Sequence, residues 1–118
     1  MVTREAVLTH IKDQYGVNPD YPWKKFPNYA ALRHTESHKW FALIMNISAD
    51  KLGLESKEQV DVINLKAEKE LIGSLRQKRA IYPAYHMDKS NWVTVHLQEI
   101  ESMEMLCELI EDSYNLTK

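Results

Sequence analysis

Near the N-terminus, apolar residues recur as Val7, Leu8, Ile11 and Tyr15, the spacing that places side chains on one face of a helix. Thr3 stands where an N-cap accepts from the first turn, and Gly16 where a left-handed residue ends it, so residues 3–15 are expected to be helical. Residues 17–28 break the pattern with Pro19, Pro22 and Pro27 set among aromatics. Proline removes a donor and disfavours helix in the residue before it, so this stretch is expected to be a structured loop. Residues 29–34 and the nearly continuous apolar run KWFALIMNI at 39–47 have strand length. The polar residues Thr35 to His38 between them complete a β-hairpin.

After a loop at 49–56, the β-branched stretch QVDVINLK at 59–66 predicts a third strand. Leu71, Ile72 and Leu75 then predict a short helix over 67–76. Residues 81–90, centred on Tyr82-Pro83-Ala84-Tyr85-His86-Met87, read as irregular. In the following strand, 91–97, Val93, Val95 and Leu97 alternate with Trp92, Thr94 and His96. Ser102 is an N-cap for a last helix that buries Met105, Leu106, Leu109 and Ile110 and leaves Glu104, Glu108 and Glu111 outside. Helices and strands do not alternate regularly. The expected fold class is α+β, a two-layer domain with helices packed on an antiparallel sheet.

Composition keeps this to one domain, residues 1–118. The chain has 118 residues, 44% hydrophobic and 27% charged, with few glycines and prolines, which excludes a disordered or collagen-like chain. The single cysteine, Cys107, excludes an internal disulfide and a multi-thiolate zinc site, and it suits a reducing cytoplasm. The charged N-terminal stretch lacks an export signal, and no run approaches the roughly 20 apolar residues of a membrane span, so neither export nor membrane insertion is expected.

The net charge of −2 hides an asymmetry. Residues 21–40 hold Lys24, Lys25, Arg33 and Lys39 against Glu36, and residues 76–96 hold Arg76, Lys78, Arg79 and Lys89 against Asp88, so each segment is +3. Residues 99–112 carry six carboxylates and no base. The two basic segments also contain all three tryptophans, Trp23, Trp40 and Trp92, and every histidine except His10. Cations interleaved with aromatics suit contact with phosphates and bases; they also suit a solvated face above core aromatics.

No catalytic or metal-binding constellation stands out. His34 and His38 have the i, i+4 spacing of two zinc ligands, yet they flank a turn and are expected to line a polar hairpin tip. His86 has no serine, cysteine or carboxylate pair at a catalytic spacing, and is expected either to hold its loop or to touch phosphate or base. His96 is expected on a binding surface or beneath a helix. Acidic neighbours raise the Cys107 thiol, and Gly73-Ser74 lacks a phosphate-cradle spacing. Asp61, Asn64 and Lys66 suit either a buried polar network or an edge. The expectation is a protein that is not an enzyme and has no cofactor.

Several blocks in order carry a resemblance: Tyr21-Pro22-Trp23, Arg33-His34, Lys39-Trp40-Phe41-Ala42, Val60-Asp61 with Asn64-Leu65-Lys66, Leu71-Ile72-Gly73-Ser74-Leu75-Arg76, Tyr82 to Met87 with Lys89 and Trp92, and Ser113-Tyr114. Together they resemble the MmcQ/YjbR family from about Tyr21 onward. The resemblance implies a compact double-wing, frataxin-like α+β domain, and members are commonly labelled DNA-binding by fold analogy. The sequence departs from that pattern at Ala80, where glycine is usual and a more ordinary backbone is therefore expected. It also departs at Asn91, usually His, and at Ala67-Glu68, usually Asp-Pro.

Three functions fit these features. In the first, Lys24, Lys25, Arg33, Lys39, Arg76, Lys78, Arg79 and Lys89 contact the phosphates of double-stranded DNA while Tyr85, His86 and Trp92 position a wing. In the second, the aromatic loop at 21–26 docks a protein partner and presents exposed rings. In the third, a pocket lined by His86, Lys89 and Trp92 takes a small molecule.

Overall fold

The computed structural model describes all of residues 1–118. Its elements in chain order are α1 (Arg4–Tyr15), β1 (Ala30–Arg33), β2 (Trp40–Ser48), β3 (Gln59–Lys66), α2 (Ile72–Leu75), β4 (Ile81–Pro83), β5 (Trp92–His96) and α3 (Met103–Leu116). The strands form one five-stranded sheet in the order β1-β2-β3-β5-β4, with every neighbouring pair antiparallel. The α+β expectation holds, as do the expected hairpin, both long helices and their caps. Ala6 N donates to Thr3 Oγ1, Met105 N donates to Ser102 Oγ, and Gly16 ends α1 at φ 67°.

The sheet is apolar on both sides. One face carries Ala30, Leu32, Ala42, Ile44, Ile63, Leu65, Val93 and Val95 against Val7 and Ile11 of α1 and Leu106 and Ile110 of α3. The other carries Ala31, Leu43, Met45, Ile47, Val60 and Val62, and no α-helix lies over it, only the 3₁₀ turn Ala49–Leu52 and loops. It is roofed by loops that bring down Trp23, Tyr29, Leu52, Leu54, Tyr85 and Met87. At the β1–β2 register break, Arg33 pairs with Trp40 and Leu32 with Ala42, leaving Phe41 as the extra residue of a bulge. Phe41 and Ala42 can therefore both enter the helix-side core, while Trp40 packs on the loop side.

Three expectations are corrected. The stretch at 67–76 is a 3₁₀ turn, Lys69–Leu71, followed by the single helical turn of α2. Gly73 and Ser74 supply little helix propensity, and Leu71 stays 48% exposed. The stretch at 81–90 opens with β4, which the sequence concealed because the strand is three residues long and ends in Pro83, a residue tolerated at a sheet edge. Ala80 keeps the left-handed backbone, at φ 75°. That conformation costs an L-residue about 1–2 kcal/mol; Ala80 is buried, and its carbonyl accepts from His96 N.

The loop roof is fastened by a buried polar triangle. Asn64 and Thr94 face each other across β3 and β5 with no exposure. The Thr94 hydroxyl donates to Asn64 Oδ1 at 2.5 Å and accepts from Tyr85 N at 2.9 Å, while Asn64 Nδ2 donates to the Tyr85 carbonyl at 2.8 Å. Both backbone groups of Tyr85 are thereby satisfied by side chains of the sheet. Truncating Asn64 to Ala strands a buried carbonyl and a buried hydroxyl, so a loss of about 1–3 kcal/mol is expected in urea unfolding. Faster amide exchange at residues 84–91 should accompany it, and unchanged exchange there would show that the triangle does not hold the loop.

Candidate nucleic-acid interface

Of the ten residues singled out from sequence, five belong to the loop-covered face. Lys24 and Lys25 are exposed in the turn that follows Trp23, whose ring packs edge-on to Trp40 at 5.3 Å and to Tyr29 at 6.1 Å. His86 and Lys89 are exposed on the loop fastened at Tyr85. Trp92, half-buried, shares the β5 alternation of Thr94 and so belongs to the same side. Tyr29 and Tyr85, one from each basic segment, line the same cleft, and burial first and Tyr85 second raise the Tyr29 hydroxyl above its ordinary value.

The 84–91 loop is shaped by its own side chains. His86 has a left-handed backbone, φ 65°, and its ring lies 3.9 Å from that of Tyr85. Asp88 accepts from Ser90 N and from Asn91 Nδ2. Its carboxyl is held below the usual range by the Ser90 backbone first, then by Asn91, with Lys69 contributing. Asn91 therefore closes a turn.

The remaining five stand elsewhere. Arg33 is ion-paired with Asp20, the one salt bridge in the chain, and is only partly exposed. Lys39 is exposed at the β1–β2 turn. Arg76, Lys78 and Arg79 are exposed between α2 and β4, at the opposite sheet edge. Near Arg79, Tyr82 donates to Glu99 Oε1 at 2.6 Å and is pushed up to about 12, by burial first and by Glu99 second.

A pocket lined by His86, Lys89 and Trp92 is not found among the five principal clefts, because the loop is seated directly on the sheet. The rings of Tyr21 and Phe26 are 48% and 44% exposed, as a docking loop would present them. Asp61 and Asn64 do not act together: Asp61 accepts from Asn46, and Asn64 belongs to the triangle. His96 is buried opposite Val62, on the loop side, and its Nδ1 has no hydrogen-bond partner. The Cys107 thiol is pushed up by burial and by Glu104.

His34 corrects the expectation of a polar hairpin tip. It is 6% exposed and packs against Phe41 and Tyr114, and its Nε2 lies 2.7 Å from Thr117 Oγ1. The Thr117 hydroxyl donates its one proton to the Ser113 carbonyl at 2.8 Å, so Nε2 is the donor to Thr117 and carries the hydrogen. In turn, the Ser113 hydroxyl donates to the Phe41 carbonyl and accepts from Lys66 N, stitching α3 across β2 and β3. The separation of 83 residues between His34 and Thr117 hid this contact from any local pattern. His38, at φ 63°, is exposed and closes the turn by donating its backbone N–H to the His34 carbonyl.

A single α+β domain with helices on one face of an antiparallel sheet and basic, aromatic loops on the other is the class this geometry defines. The YjbR family model matches residues 12–116, and the chain belongs to that family. It is 47% identical over its full length, and that of the relative, to the uncharacterized protein YyaQ of Bacillus subtilis (strain 168). It is also similar to a Pseudomonas syringae protein known from a crystal structure, with TM-score 0.96, 46% identity, and 98% of this chain and 99% of that one covered. The Deinococcus radiodurans protein DR2400 shares the fold at TM-score 0.70 and 23% identity, covering 98% of this chain and 78% of that one.

Burial, then Lys118 and Lys39, hold the His34 imidazole below its free value of 6.5, against an opposing hydrogen bond to the Tyr114 backbone. As pH falls below about 6.5 the unfolded chain takes up this proton first, so the contribution of neutral His34 is intact above that value and lost below it. Urea unfolding on either side of pH 6.5 should show a smaller acid loss in His34→Gln than in the wild type. An identical loss in both would place the titration elsewhere.

Proposed function

We propose that the loop-covered face binds the phosphate backbone of duplex DNA. One observation carries this: exposed Lys24, Lys25 and Lys89, none in an ion pair, lie on loops that roof the sheet face opposite the acidic helix α3. Exposed lysines without an ion-pair partner are suited to contacts that release counterions and carry little sequence information. The half-buried Trp92 and the Tyr85–His86 pair give the same face stacking surfaces. Arg33 takes no part, since Asp20 already neutralises it. Glu104, Glu108 and Glu111 on α3 orient the molecule by repelling a polyanion from the other side.

A second reading is a protein-docking domain, favoured by the exposed rings of Tyr21 and Phe26. The salt response separates the two. Duplex binding followed by fluorescence anisotropy should weaken with salt, each neutralised phosphate adding about 0.9 to the log–log slope. The double substitution Lys24→Glu, Lys25→Glu should lower that slope by about 1.8 if each lysine meets one phosphate. Glu108→Gln should leave the slope unchanged. Absence of binding at low salt, or an unaltered slope in the lysine variant, would refute the proposal and leave the docking domain.

A further inference from the structure

The structure assigns a second, more specific site to the same face: a cleft that takes a single unpaired nucleotide, with its base against Phe26 and its phosphate at Lys25 and Lys51. This rests on the nucleic-acid reading above and adds a base-binding element to it. The cleft has a volume of about 350 Å³, within the range of small-ligand sites.

It forms because β1 is too short for its neighbour. β1 pairs with β2 only from Trp40 to Ile44, so the outer edge of β2 from Met45 to Ser48 has no strand beside it. Such an edge leaves main-chain donors and acceptors unpaired, and Asn46, Ile47 and Ser48 line the cleft. The chain entering β1 turns over this edge, with Tyr29 N donating to the Phe26 carbonyl at 3.0 Å. That turn sets the Phe26 ring parallel to Tyr29, centroids 4.6 Å apart and planes 15° apart. Tyr29 is buried and Phe26 is 44% exposed, so one aromatic face is held rigid from behind and offered to solvent. A ring already fixed loses little freedom when a base stacks on it.

Charge selects the ligand. Lys25 and Lys51 line this cleft and no carboxylate does, whereas each of the other four principal clefts includes at least one: Asp112, Glu36, Glu104 and Asp20 are examples. The neighbouring acid Asp50, whose carboxyl is held below its ordinary value by the Ser48 side chain first and by Lys51 and Lys57, stands outside the lining. Asn28 and Gln59 add amides, which can pair with the edge of a base, and a base can lay its face on Phe26 only when it has left the duplex stack. An aromatic plate, amide and main-chain groups, and two cations are the requirements of a nucleotide with an unpaired base, whether free or within a strand.

Calorimetric titration with the four nucleoside 5′-monophosphates, inorganic phosphate, a short single strand and a duplex tests the assignment in wild type, Phe26→Ala and Lys51→Ala. The monophosphates should bind more tightly than phosphate. Phe26→Ala should weaken them about tenfold while leaving phosphate and duplex within about twofold, and Lys51→Ala should weaken phosphate and nucleotide together. Because Phe26 is half exposed, retention of the thermal unfolding midpoint checks that its variant is folded. A single strand that binds more tightly than the monophosphates, with the same Phe26 dependence, identifies a strand as the source; equal affinities identify the free nucleotide. Equal binding of phosphate and nucleotide, or indifference to Phe26→Ala, overturns the site. Duplex binding that survives that result leaves the backbone reading standing, and loss of both overturns both.

Discussion

A sheet whose two faces are both apolar must be covered twice, and this chain has helices enough for one side only. α1 and α3 close the face that carries Ile44, Ile63 and Val95. Leu43, Met45 and Val62 on the other face are equally buried, so the loops had to become the second layer. Loops carry polar backbone that must be satisfied wherever it is buried. Here the Asn64–Thr94 pair meets both backbone groups of Tyr85, and Trp23, Tyr29 and Met87 supply apolar cover. The same requirement that completes the core therefore brings two lysine-bearing loops to one side of the molecule.

Charge segregation follows from that division of labour. The outer surface of α3 is free to be acidic because its inner stripe of Leu106, Ile110 and Ser113 does the packing. Seen as a whole chain the charge is −2; the six carboxylates at 99–112 lie on and just before α3, whereas the loop side carries exposed Lys24, Lys25, Lys51 and Lys89 together with Asp50, Glu55, Glu58 and Asp88. The bulge at Phe41 and the open edge of β2 are local departures from a regular sheet. One delivers Trp40 to the loop layer and the other leaves a cleft beside Phe26.

Much of this was legible in the chain. Capped helices at Thr3 and Ser102, the hairpin and the strand at 59–66 follow from spacing and side-chain chemistry alone. The nearly continuous apolar run KWFALIMNI predicts a strand, although periodicity cannot say what covers its faces. β4 was hidden by its length and by Pro83, and α2 was overestimated because three leucine and isoleucine side chains suggested a helical stripe that Gly73 and Ser74 do not sustain. For the site, the basic segments and their aromatics were visible, but pairing was not. Nothing local distinguishes Arg33, bound to Asp20, from Lys24, bound to nothing, or reveals that His34 reaches the end of α3.

The proposed contact puts duplex DNA on the loop-covered face and not on α3. Amide chemical-shift mapping of the isotope-labelled protein during titration with duplex DNA tests this most directly. Perturbations should concentrate at residues 23–29 and 85–92, fade on adding salt, and leave Met103–Leu116 unmoved. Perturbations centred on α3, or none at low salt, would contradict it.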